Sequence, residues 1–147
     1  MNRKIQLTKR VLYNPAKPIS FVNTYQLKSV AEKLAKIMLE NNGIGIAAPQ
    51  CGLSYRMFLI YDKSIPNKLE TFCNPTIKAT SDELVLFKEG CLSFPGEYLT
   101  ISRPADITVE YQNIEGEVKT ADLSGIVSRC FQHEYDHLDG VTFQHRI

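Results

Sequence analysis

The chain has 147 residues, 44% of them hydrophobic and 22% charged, with a formal net charge of +1. That length suits one domain, residues 1–147, able to bury roughly 68–70% of its unfolded surface. The near-zero charge gives no basis for binding nucleic acid or an anionic membrane surface. The run from Met1 to Lys9 has no apolar h-region, and no later stretch approaches roughly 18 uninterrupted apolar residues, so a cytoplasmic protein is expected.

Residues 1–20, with Pro15 and Pro18, read as irregular. From Thr24 to Asn41 the apolar positions Leu27, Val30, Ala31, Leu34, Ile37 and Met38 keep helical spacing, with Asn23 as N-cap, Gln26 three residues on and Gly43 as the stop. Gly43-Ile44-Gly45-Ile46-Ala47-Ala48-Pro49-Gln50 lacks the lysine of a P-loop. By its small residues alone it reads as a close-packed strand lying near another backbone. Strands are predicted at Met57–Tyr61, Thr71–Cys73, Glu83–Phe87 and Ile107–Tyr111. A turn at Asn113–Gly116 leads to another near Glu117–Thr120. A last helix is predicted from Leu123 to Leu138, capped at Asp122 or Ser124 and stopped at Gly140. An N-terminal helix, several antiparallel strands and a central C-terminal helix, without βαβ alternation, make an α+β fold.

That last helix carries Gln132-His133-Glu134-Tyr135-Asp136-His137, an H-E-x-x-H motif in a chain with three histidines. Residues four apart on a helix lie about 40° from each other, so His133 and His137 share one face. Two imidazoles so placed suit one divalent metal, and Glu134 beside them suits a general base. At about 100° per residue, Leu123, Ile126, Val127, Cys130, Phe131, His133, Glu134, His137 and Leu138 occupy one half of the wheel. Ionisable groups on an apolar face need partners, since desolvating them unpaired costs several kcal/mol. A metal ion is such a partner.

A catalytic site of this type needs a third protein ligand and an open position. The metzincin pattern keeps its glycine at Gly140 but puts Phe143 where a third histidine belongs, and no glutamate follows Glu134. With no histidine upstream, a cysteine or a carboxylate is left. Cys91 stands out, following a strand in Lys88-Glu89-Gly90-Cys91-Leu92-Ser93, and one thiolate with two imidazoles suits zinc or ferrous iron. Cys51, Cys73 and Cys130 form no C-x-x-C pair and read as small buried hydrophobes.

Taken together and in this order, residues 43–50, 89–93 and 132–140 resemble the peptide deformylase family. Its members carry G-x-G-[IL]-A-A-P-Q, E-G-C-L-S and Q-H-E-x-D-H-L-x-G. The resemblance implies Cys91, His133 and His137 as ligands of one divalent metal, natively Fe2+, with Zn2+, Ni2+ or Co2+ able to replace it. It implies hydrolysis of the N-formyl group from formyl-methionine at the start of nascent polypeptides, near the ribosome and by a monomer. Glu134 would be the base, with the Gln50 amide and the Leu92 N–H holding the oxyanion. The peptide would add as a strand along Gly43–Ile46. Its methionine would meet Ile44, Gly45, Phe87, Glu89, Ile126, Cys130 and His133, with Ile46 and Gly90 completing the substrate site. Arg103 matches a family arginine and is expected to pair with Asp136 behind the site. Tyr98 departs from the basic residue many bacterial members carry near the substrate. The seven residues after Gly140 make the C-terminus similar to those of bacteriophage deformylases, so a phage origin and host cytoplasm are also expected. A metalloprotease cutting internal bonds shares the base and two ligands but finds no third ligand in its own pattern. A peptide-binding module has no use for a general base.

Overall fold

Residues 57–60, Met-Phe-Leu-Ile, are all buried, which a strand achieves only when both its faces are covered. The computed structural model describes residues 5–62 and 68–147, so the first four residues of the irregular N-terminal stretch lie outside the described ones. In it β2 (Met57–Asp62) pairs antiparallel with β1 (Gly45–Ala47) and β3 (Lys68–Thr80). β6 (Ile107–Gln112) and β7 (Val118–Leu123) complete a five-stranded sheet in the order β1-β2-β3-β6-β7. Alternate residues of a strand face opposite sides. Met57 and Leu59 accordingly join one apolar cluster while Phe58 and Ile60 join the other.

The first cluster is covered by α1 (Thr24–Glu40) through Leu27, Val30, Ala31, Leu34, Ala35 and Met38. The Asn23 side chain caps this helix, accepting the Gln26 N–H at 3.0 Å. The second cluster is covered by α2 (Gly125–Leu138), whose Phe131 ring meets Phe58 and Phe72 edge-on at centroid distances of 4.9 and 5.1 Å. The α2 helix begins later than its periodicity suggests. Leu123 ends β7, paired with Ile107, and Ser124 is the N-cap. Gly140 stops it at φ 76°, where a Cβ would lie 2.6 Å from the Tyr13 carbonyl oxygen.

Two further corrections concern strands. β3 is far longer than Thr71–Cys73, and an eleven-residue strand, β5 (Phe94–Pro104), is absent from the sequence reading. β5 pairs with β4 (Leu84–Cys91) as a separate two-stranded sheet over the side of α2 away from the apolar cluster. Its buried residues are Ile101 and Arg103, and the buried residue of β4 is Glu89, so the apolar alternation of β5 is limited to Leu99 and Ile101 and β4 buries no apolar residue.

Candidate metal centre and substrate cleft

Three ligand atoms converge between α2 and the end of β4. Those of Cys91, His133 and His137 all lie within 4.8 Å of one another, with the Cys91 Sγ 3.5 Å from His137 Nε2. The i,i+4 spacing on α2 supplies the two imidazoles, and Cys91 arrives where β4 leaves its register with β5. Glu89 accepts the His133 Nδ1 at 2.9 Å, which leaves Nε2 as the ring nitrogen facing the thiol. Glu134 is 3% exposed, and its Oε2 has no hydrogen-bond partner among the described residues. Burial pulls the His133 pKa down. Hydrogen bonds to Cys91 and Glu89, with the charge of Glu134, outweigh this and push it up to about 10. The surroundings therefore favour a positive charge at this point, which a bound cation supplies. One thiolate and two imidazoles with room for a further ligand fit a divalent metal of the zinc or ferrous type.

Burial pushes the Glu134 carboxyl up to about 7, the charge of His133 opposing it, so proton uptake near neutral pH is within its range. His137, buried and close to His133, is held well below the ordinary histidine value and so stays neutral, whereas His133 gives up its proton when a cation binds. The thiols of Cys51 and Cys73 are pushed to about 12 by burial, and that of Cys130 is raised well above its ordinary value for the same reason. All three behave as small hydrophobes.

Gln50 sits in the 3-10 turn Ala48–Cys51 after β1 and is fixed at both ends. Its Oε1 accepts the Ala47 N–H at 2.8 Å, while Nε2 donates to Ser93 Oγ at 3.1 Å and lies 3.6 Å from Cys91 Sγ. The amide nitrogen is thus the end facing the metal ligands.

Behind His133 lies a buried charge network. Arg103 donates from Nε and Nη2 to both Glu89 oxygens at 2.6 and 3.0 Å, and from Nη1 to Asp136 Oδ2 at 2.9 Å. The pairing of Arg103 with Asp136 is therefore present, but Glu89 is its second partner. Arg129 also donates to Glu89, at 2.6 Å, and Arg146 grips Asp136 from the 3-10 turn Phe143–Arg146 at 2.8 and 3.1 Å. Burial opposes ionisation of Glu89, but the bonds from His133 and Arg103 prevail and hold it down at about 2.

A cavity of about 520 Å³ opens in front of the centre. Of the residues singled out by sequence, Ile44, Gly45, Phe87, Glu89, Gly90, Cys91, Leu92, Ile126, Cys130, His133 and Glu134 line it, and so does Tyr98. Ile46 does not, because its side chain is fully buried in the α1 cluster. Gln50 and His137 are not among its lining residues, and each lies against the lining residue Cys91. Gly45 has no room for a side chain, since a Cβ would fall 2.6 Å from Cys130 Sγ and 3.2 Å from Glu134 Cγ. β1 is an edge strand. Because the Ile44 carbonyl accepts from Tyr61, alternation along the antiparallel pair turns the Gly45 N–H and C=O away from β2. Arg129, Ser93 and Arg146 escaped the sequence reading. Ser93 alone had a signal, its place in the E-G-C-L-S run.

A family model described as polypeptide deformylase matches residues 2–147. The chain belongs to this family. It is a metal-dependent hydrolase that removes the formyl group from nascent peptides. A peptide deformylase of Picosynechococcus is 41% identical over 140 residues, 94% of this chain and 74% of that protein. The crystal structure of peptide deformylase from Thermotoga maritima is similar, with a TM-score of 0.89 and 38% identity, covering 98% of this chain and 96% of that one. A Met-Ala-Ser-bound class I type b peptide deformylase from Acinetobacter baumannii gives a TM-score of 0.90 at 34% identity, covering all of both chains. Among the described residues no helix is long and apolar enough to cross a membrane.

Proposed function

We propose that a formyl-methionyl peptide lies in the cleft between β1 and the β4–β5 hairpin, its formyl group at the ligands Cys91, His133 and His137. The reading is carried by one observation, the convergence of these ligands at a cavity lined by Glu134, one of whose buried oxygens has no partner among the described residues. The outward N–H and C=O of Gly45 pair with the substrate main chain as an added strand. Such pairing tolerates many sequences, as an enzyme acting on diverse nascent chains requires. The methionine side chain packs against Ile44, Phe87, Ile126 and Cys130, with Glu89 and Gly90 at the back.

When bound, the cation, Fe2+ by preference and Zn2+, Ni2+ or Co2+ otherwise, supplies the Lewis acidity that lowers the pKa of water. Glu134 takes the proton of the attacking water and returns it to the leaving amine. The Gln50 amide, aimed by Ala47 and Ser93, and the Leu92 N–H donate to the oxyanion; losing one such donor costs about 2.7–4 kcal/mol of barrier. The enzyme acts as a monomer in the cytoplasm on chains leaving the ribosome.

The test is anaerobic purification with Fe2+ or Ni2+ and release of free amine from formyl-Met-Ala-Ser. Wild type should release it and Glu134→Ala should not, at equal metal content. Turnover by Glu134→Ala near the wild-type rate would remove Glu134 as the base.

A further inference from the structure

The outer wall of the cleft is weakly tied to the rest of the molecule by apolar contact. Its strands form their own two-stranded sheet, Leu84 and Leu86 are 62% and 70% exposed, and Phe87, which lines the cavity, is 49% exposed. Within its two strands three residues are buried, and two of these, Glu89 and Arg103, are charged. Phe94 meets Phe143 and Lys9 at the turn end of the hairpin, and along its strands polar bonds to α2 help to hold it. Among the described residues of α2 one side chain makes more of them to the hairpin backbone than any other. Arg129 is 8% exposed and lines the cavity. It donates to the Val85 carbonyl at 2.5 Å, to the Ile101 carbonyl at 3.0 Å and to Glu89 Oε2 at 2.6 Å. Val85 lies two residues before Phe87 on β4, and Ile101 is the residue paired with Phe87 across the hairpin. The guanidinium is thus bonded on both sides of Phe87, and it lies 5.6 Å from the centroid of that ring.

From this placement we infer that Arg129 is a positioning residue that pins the β4–β5 wall to α2, holds Phe87 against the methionine side chain and so sets side-chain selectivity. The inference rests on the cleft being the peptide site. It assigns Arg129 a role different from that of Arg103. Without Arg129, Glu89 keeps two bonds from Arg103 and its bond to His133, so the metal ligands stay where they are. What is lost is a wall already in place when the substrate arrives. Ordering that wall then falls to binding, which raises KM and leaves the chemical step largely intact.

The experiment compares wild type, Arg129→Met and Arg129→Lys, all nickel-loaded, on formyl-Met-Ala-Ser and formyl-Phe-Ala-Ser. Amide hydrogen exchange over residues 84–91 is followed in parallel. For Arg129→Met we expect KM to rise about tenfold with kcat within about threefold, and the preference for formyl-Met over formyl-Phe to fall about tenfold. Exchange over 84–91 should quicken while that of β2 stays as in wild type. Arg129→Lys, with one ammonium facing three acceptors, should fall between. Unchanged KM, preference and exchange in a folded variant would overturn the inference, as would a loss of kcat that follows loss of metal. If Arg129→Met does not fold, Arg129→Lys carries the test, and wild-type exchange and KM there overturn it. A wild type that leaves formyl-Met-Ala-Ser intact would instead refute the reading of the cleft, and the exchange data would still decide whether Arg129 pins the wall.

Discussion

Replacing Arg103 by alanine tests the charge network directly. The side chain is 5% exposed and makes three bonds, two to Glu89 and one to Asp136. Removing one member of a buried ion pair costs about 3–5 kcal/mol, chiefly because its partner is left charged and unpaired. Here neither partner is wholly abandoned. Glu89 keeps Arg129 and His133, and Asp136 keeps both bonds from Arg146. The loss should therefore sit at the lower end, about 3 kcal/mol. In a domain of this size each kcal/mol lowers Tm by about 2–4 °C, so Tm should fall by about 6–12 °C. The change also reaches the centre, because Glu89 orients His133. Outer partners of metal ligands are typically worth 10–100-fold in metal affinity or activity; Arg103 acts one bond further out, through both oxygens of Glu89, so a loss near the lower end, about tenfold, is expected. Urea unfolding of the metal-loaded protein, with nickel affinity by competition against a chelating dye, measures both quantities. A stability loss under about 1 kcal/mol together with unchanged nickel affinity and turnover would refute the reasoning.

Acid should reveal the same network. The folded-state pKa of Glu89 is depressed from 4.5 to about 2, so its contribution is fully present above pH 4.5 and lost as pH falls towards 2. The stability gap between wild type and Glu89→Gln, on the order of 3 kcal/mol at pH 6, should close across that window, and a gap independent of pH would contradict it. Glu134 has the opposite sign. Its folded-state pKa is raised from 4.5 to about 7, so its ionisation costs stability increasingly as pH rises through that range. Chelator-treated Glu134→Gln should melt above chelator-treated wild type at pH 8, with the difference vanishing near pH 4.5, while the metal-loaded variant is inactive; equal melting at pH 8 would count against this account. Gly45→Ala places a Cβ 2.6 Å from Cys130 Sγ and should lower kcat/KM at least about tenfold. A Cys130→Ala background should recover part of that loss, and strictly additive effects would show that the crowding is elsewhere.

Features carried by short-range periodicity were legible in the chain. The caps and apolar spacing of α1, the His133–His137 pair and Glu134 all follow from what one helical turn brings together, and the all-apolar run of β2 marks a strand covered on both sides. Cys91 could be reached by counting which ligand types remained. Beyond that, local pattern failed for identifiable reasons. β5 buries an arginine where a strand ordinarily buries an apolar residue, so its hydrophobic alternation is cut to Leu99 and Ile101, too short to mark an eleven-residue strand. Arg129, Gln132 and Asp136 fall on the polar half of the α2 wheel, yet all are buried, because the hairpin and the C-terminal turn close over that half. The residues that aim the ligands were decided only in three dimensions. Glu89 meets His133 across 44 positions and Arg129 meets Val85 across another 44. Partners so far apart in sequence are chosen by the packing of a sheet against a helix and by the need of every buried charge for an opposite one. The base and two of the three ligands were written in one helix; the wall that shapes the cleft exists only once the chain has folded around it.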